Sequence, residues 1–256
     1  MWTRDELKSN AKFVLKKNYF YVLGFYLVYL LLSGNFITII QNINEQTHYF
    51  NEYSIRISFD TAFYINDFPI PYPWIYGFGL LAILLAVVSI LFNIFISSPL
   101  EIGYQRFYLM NRDIMPSFKT LFFSFTNAEY LNIVKIQLLR NLKIILWSFL
   151  FVIPGIVKAY EYSMIPFLLA ENPSLSSERA FALSREMTNG QKLNMWILKL
   201  SFIGWYLLGS LLIIGKVFVD VYLVATFTEL YVISKNRIID EGFSTYDELP
   251  GVLNDL

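Results

Sequence analysis

The sequence predicts an all-α, polytopic membrane protein: a bundle of about six transmembrane helices with amphipathic interfacial helices on its cytoplasmic face. Three observations predict it. Of 256 residues, 56% are hydrophobic and 16% charged, with mean hydropathy +0.49, whereas soluble domains are about 45–50% apolar and about 25% charged. The apolar residues gather in runs long enough to cross a ~30 Å hydrocarbon core at ~1.5 Å per residue. Lysine and arginine recur in every second inter-helical segment, the asymmetry that orients spans.

The elements follow in order. Residues 1–18 read as an amphipathic cytoplasmic helix, with Leu7, Ala11, Val14 and Leu15 on one face and Lys8, Lys12 and Lys16 on the other. Thr3 and Glu6 have capping-box spacing, and such a helix lies on a membrane surface. The basic stretch Arg4–Lys17 is too long for the start of a cleaved signal peptide, and no small-residue cleavage site follows it, so a retained signal anchor is expected.

The membrane domain, 19–234, begins with a span over 19–41. An outer loop over 42–73 contains the strictly alternating Tyr53–Phe59, which predicts a strand. Pro69, Pro71 and Pro73 forbid regular structure beyond it. The second span, 74–97, carries no charge. Pro99 to Tyr130 is mixed and predicts two interfacial helices joined near Asp113–Pro116. The third and fourth spans, 131–153 and 156–170, are separated by a Pro154-Gly155 turn. Their lysines and Arg140 leave two readings open: full crossings, or a re-entrant hairpin. Ser176 or Ser177 can cap a helix running to Gln191, with Gly190 near its end. The fifth and sixth spans cover 193–215 and 217–234, and a polar, acidic cytoplasmic tail over 235–256 is expected to be loosely ordered. Basic amphipathic segments at Arg4–Lys17, Ser117–Tyr130 and Ser177–Gln191 each precede a helical hairpin, a faint internal rhythm.

Charge sets the topology. Arg106, Arg112 and Lys119, then Arg179, Arg185 and Lys192, then Lys235 and Arg237 fall on the side of the basic N-terminus, while the outer loop has Arg56 among four acids. Both ends are therefore expected in the cytoplasm.

The stretch Trp147-Ser-Phe-Leu-Phe-Val-Ile-Pro154-Gly155-Ile-Val-Lys-Ala-Tyr160, continuing through Pro166 to Glu171-Asn-Pro173, resembles the signature of a bacterial integral-membrane family, "domain of unknown function 975". Ser98-Pro99-Leu-Glu-Ile-Gly103-Tyr104 and Ala180–Met187, followed by Leu200–Gly209 with Trp205, resemble the same family. The resemblance implies this architecture and a bacterial plasma membrane, and supplies no reaction.

Charges inside spans are costly and suggest functional sites by default. The candidates are Arg140, Lys143, Lys158, Glu161, Lys199, Asp220 and Glu229. Lys158 and Glu161 are spaced to pair locally; Asp220 is spaced to meet Lys216, and Lys199 to meet Glu229 across antiparallel spans. Arg185, beside Ser184 and Glu186, is a candidate contact to lipid headgroups. In the mechanical reading, Pro99, Gly103, Trp147, Pro154, Gly155, Pro166, Pro173 and Trp205 are structural, with Pro166 kinking span four. Tyrosines and tryptophans at span ends fit interfacial belts.

Zero net charge gives no footprint for nucleic acid. With no cysteine and His48 as the single histidine, thiol chemistry and an HExxH site are ruled out, and no Walker, GxGxxG or GxSxG motif occurs. No cofactor is expected. The expectation is a non-enzymatic protein that binds membrane lipids or a membrane-protein partner, in an accessory, envelope-stress or peptide-target role. The alternative is a small-solute or ion transporter or channel.

Overall fold

The computed structural model describes residues 2–34, 72–210 and 215–252. Among them every regular element is helical. Three segments, Ile83–Met110, Val152–Glu171 and Gly215–Asp240, are long and apolar enough to cross a membrane. The strand expected at 53–59, and the outer loop up to residue 71, lie outside the described residues.

Helix α1 (Arg4–Lys16) starts at the Thr3–Glu6 capping box and buries Leu7, Ala11 and Leu15. Helix α2 (Tyr19–Leu32) follows after Asn18, which donates to Asn111 at 2.6 Å. Helix α3 (Tyr72–Phe92) passes through a wide turn at Asn93–Ser97 directly into α4 (Ser98–Met110). The sequence placed a boundary at Pro99 and an interfacial helix after it; the helix instead continues. The reason is a tertiary contact. Pro99 has no N–H, so the carbonyl four residues back, on Phe95, loses its helical partner. The Tyr130 hydroxyl donates to that carbonyl at 2.7 Å, and the wide turn makes room for the ring.

A 3₁₀ turn at Phe118–Phe122 and short α5 (Phe123–Thr126) lead to α6 (Tyr130–Leu150) and α7 (Val152–Glu161). The turn between them falls at Phe151, in extended conformation, not at Pro154-Gly155. Pro154 sits in the first turn of α7, where a missing N–H costs nothing. Gly155 lets the legs close: a Cβ there would lie 2.2 Å from Ser148 Oγ. The expected kink at Pro166 is also replaced. The chain turns at Tyr162–Met164 and α8 (Ile165–Glu171) begins, with Pro166 again in a first turn.

Ser176 caps α9 (Ser177–Thr188), accepting from the Arg179 N–H at 3.2 Å. Then come α10 (Lys192–Leu200), α11 (Ile203–Ser210) and α12 (Gly215–Asp240), which runs past the expected end at 234. The tail is ordered as far as it is described, against expectation: Leu249 and Val252 are buried in the core.

Helix α4 is the axis of the packing, buried on nearly every side. One core joins α1, α2, α4 and α12 through Leu15, Phe25, Phe107, Tyr104 and Val221. Phe25 stacks on Phe107, with ring centroids 3.5 Å apart, and Tyr29 on Tyr104 at 4.1 Å. Tyr26, Tyr104, Tyr108 and Tyr231 are core residues. The second core gathers α6, α8, α9, α10 and α12 around Ile133, Leu168, Leu183, Leu198 and Tyr231. Large apolar side chains face outward on α3 and at the apex of α6–α7.

Candidate functional site

The densest charge cluster forms where α7 ends. The Glu161 carboxylate is 4% exposed and faces three cations. Lys158 Nζ lies 2.7 Å and Arg185 Nε 3.2 Å from Oε1, and Lys192 Nζ lies 2.6 Å from Oε2. The arrangement follows from helix ends. The last carbonyls of α7 have no intrahelical donor. Ser184 Oγ donates to the Glu161 carbonyl at 2.7 Å, and Thr188 Oγ1 approaches it at 3.5 Å. Ser184, Arg185 and Thr188 lie within one turn and a half of α9, so docking those hydroxyls brings Arg185 to the carboxylate. Gly190, with φ +69°, reverses the chain after α9 and returns Lys192 to the same place. Lys143 stands nearby: its Nζ is 3.5 Å from the Phe181 ring centroid and 6.0 Å from that of Tyr162, which Lys158 approaches at 5.6 Å.

The structure brings Lys143, Lys158, Glu161 and Arg185 together and places the other candidates elsewhere. Arg140 pairs with Glu101 at 3.3 Å, beside Gln137. Asp220 accepts from the Tyr26 and Tyr206 hydroxyls at 2.7 and 2.6 Å, where Lys216 was expected. Glu229 pairs with Arg112 at 2.8 Å and not with Lys199, which stands on the exposed face of α10. Residue-by-residue reading missed Lys192, weighed only as a topology charge. It also missed the buried Lys235–Glu171 pair at 2.8 Å, and Arg106, whose guanidinium reaches the Ala170 carbonyl at 2.6 Å and stacks on Phe123. The spacing of Ser184, Arg185 and Thr188 was the signal available for the α9 contribution.

The motif residues are structural where contacts exist. Trp147 lies under Lys158 at 5.4 Å. The Pro173 carbonyl accepts from Asn132 at 2.8 Å, and Pro99 carbonyl from Ser124 at 2.8 Å. A Cβ on Gly103 would sit 2.1 Å from the Leu121 carbonyl oxygen. Trp205 is exposed on α11.

Three cations against one carboxylate leave two positive charges in excess, and Lys143 adds a third. Arg185 and Lys192 are the more accessible of the set. The cluster offers N–H donors and positive charge in excess of its carboxylate next to an apolar surface.

No curated protein and no solved structure matches the chain. Over residues 151–236, from the hairpin turn through Glu161, Arg185 and Lys192 into α12, the chain matches the uncharacterised family described as "Protein of unknown function (DUF975)", the family that the Trp147–Pro173 signature resembles.

Proposed function

We propose that this chain is a non-enzymatic, multi-pass protein of a bacterial plasma membrane that binds anionic phospholipid headgroups at the cluster around Glu161. About six helices enter the bilayer, and both ends lie in the cytoplasm. The observation that carries the reading is the unbalanced charge of Lys158, Arg185 and Lys192, placed at the base of the outward-facing apolar residues of α6–α7. A phospholipid presents the same sequence of chemistry: acyl chain, then phosphate. Guanidinium and ammonium groups suit that phosphate, and basic residues near an anionic leaflet contribute about 1 kcal/mol each.

The test is lipid retention. The protein is crosslinked in native membranes, purified, and its bound lipids and proteins are identified by mass spectrometry. Neutralising two of the cations in R185Q/K192Q removes about 2 kcal/mol, a roughly thirtyfold loss of anionic-lipid retention, with gel filtration reporting a folded protein. Equal retention in wild type and variant overturns the headgroup reading. Recovery of one stoichiometric protein would move the function to partner binding, and a co-purifying small solute would move it to transport.

A further inference from the structure

We infer that the α6–α7 hairpin does not cross the bilayer but inserts as a wedge into the cytoplasmic leaflet alone. This rests on the membrane placement proposed above and adds what the hairpin does there.

The argument is one of length. Between Lys143 and Lys158 the sequence Ile144–Val157 carries no charge. The turn at Phe151 divides that run, leaving legs of about seven residues, roughly 10 Å at 1.5 Å per residue. A hairpin that crosses fully needs about 20 apolar residues per leg to span a ~30 Å core. Val152–Glu171 has that length, but Lys158 and Glu161 interrupt it and the chain turns at Tyr162–Met164, so it does not supply one continuous leg. Beyond each leg stand cations fixed by the fold. Lys143 sits on Phe181 of α9, and Lys158 on Glu161, which also holds Arg185 and Lys192. These groups lie at one level, at the base of the hairpin, and charge of this density belongs among headgroups, not in hydrocarbon. If they lie at the headgroup level, the apex reaches at most to about the bilayer centre.

The apex has the side chains that such a position requires. Phe149, Phe151 and Ile153 are 84, 69 and 76% exposed, the pattern of a surface meant for acyl chains and unsuited to water. The occupant of this surface is therefore the acyl chains of one leaflet, and the cationic base selects leaflets rich in anionic lipid. A body that takes up volume in one leaflet and not the other favours membrane whose cytoplasmic leaflet is expanded. The wedge thus gives the protein a preference for curved regions.

The chain has no cysteine, so single-cysteine variants report position directly. Phe151→Cys is labelled with a fluorophore in proteoliposomes containing lipids spin-labelled at the headgroup, mid-chain or chain end. Quenching is expected to be strongest from the chain-end label. Leu150→Cys supplies a second apex position should the first variant fold poorly. Strongest quenching from the headgroup label overturns the wedge, as does reaction of either apex cysteine with a membrane-impermeant maleimide applied outside intact cells. His48→Cys in the outer loop separates the two proposals: its labelling from outside supports the membrane placement, and protection there would overturn that placement itself. On nanotubes drawn from giant vesicles, with the cytoplasmic face outward, the wild-type protein is expected to be severalfold enriched over flat membrane. Equal density on both overturns the curvature preference.

Discussion

A carboxylate taken out of water keeps its charge only where another group compensates it, and removing one partner of a buried pair costs about 3–5 kcal/mol. Acidic residues of this chain follow that rule through contacts distant in sequence. Glu101 meets Arg140, Glu171 meets Lys235, and Glu229 meets Arg112. Of the two local pairings expected from sequence, Lys158 with Glu161 forms, because three residues of helix put both side chains on one face. The other, Lys216–Asp220, one turn apart on α12, does not form because Asp220 is taken by the Tyr26 and Tyr206 hydroxyls of other helices. The Lys199–Glu229 pairing does not form, since it depends on helix rotation and crossing, which hydropathy does not encode. The tail gives a titratable case outside the membrane segments. Glu248 accepts two bonds from Arg179, at 2.6 and 2.8 Å, and one from Ser244 at 2.7 Å. The Arg179 hydrogen bonds, chiefly, hold its carboxyl below the ordinary 4.5, against the opposing effect of burial. A depressed acid stabilises the fold above its unfolded pKa and loses that contribution as pH falls through its folded pKa. The tail is therefore expected to remain protected from protease down to about pH 4.5 and to become cleavable below it. Glu248→Gln should be cleavable across the whole range. A variant with wild-type protection at pH 7 would show that the Arg179–Glu248 pair does not hold the tail.

At the scale of elements, capping chemistry was legible and helix breaks were not. Thr3–Glu6 and Ser176 mark starts that the structure shares, because a cap is a local hydrogen bond between groups a few residues apart. Proline misled twice in one direction. Pro154 and Pro166 signal breaks, yet each lies just inside a new helix, so the break precedes it, at Phe151 and at Tyr162–Met164. Pro99 signals a boundary that tertiary structure removes, through the Tyr130 hydroxyl on the Phe95 carbonyl. Gly103 shows the reverse case, a motif residue whose reason appears only in three dimensions. It is where α4 and the 3₁₀ turn at Phe118–Phe122 touch backbone to backbone. An added methyl would meet the Leu121 carbonyl oxygen at 2.1 Å, with the Thr120 oxygen at 2.8 Å. Backbone cannot move aside as a side-chain tip can, so Gly103→Ala should reach or exceed the upper end of ordinary overpacking, about 3 kcal/mol. Thermal unfolding in detergent measures it. Gly204→Ala, at a glycine with open space around it, serves as the control and should shift little. Equal shifts in the two variants would mean that the Gly103 contact yields.

For the molecule as a whole, the unifying element is α9, which both ends of the chain clamp. Trp2 Nε1 donates to Gln191 just past its C-terminus, and Arg179 in its first turn is held by Glu248 and the Phe243 carbonyl of the tail. Helix α12 completes the clamp: Arg237 donates to the Glu186 and Met187 carbonyls in the last turn of α9, where the Glu186 carbonyl also accepts from the Asn189 N–H. The face held in this way presents Ser184, Arg185 and Thr188 to Glu161. Sequence composition made the tail a solvated appendage, because Leu249 and Val252 are too few and too widely spaced among acids to register as a core. Their burial turns the tail into a strap. The clamps can be tested separately and together by hydrogen exchange of the α9 amides in detergent. Glu248→Gln weakens bonds to a charged group, each worth about 1.5–3 kcal/mol, so α9 should exchange roughly ten- to a hundredfold faster. Trp2→Phe loses a neutral hydrogen bond of about 1 kcal/mol and should accelerate exchange severalfold. The 12 residues of α9 separate the two contacts by about 18 Å, far enough that the effects should add within ~0.5 kcal/mol in the double variant. Unchanged exchange in α9 for both single variants would mean that the chain ends rest on this helix without holding it, and the link from the termini to the Glu161 cluster would be lost.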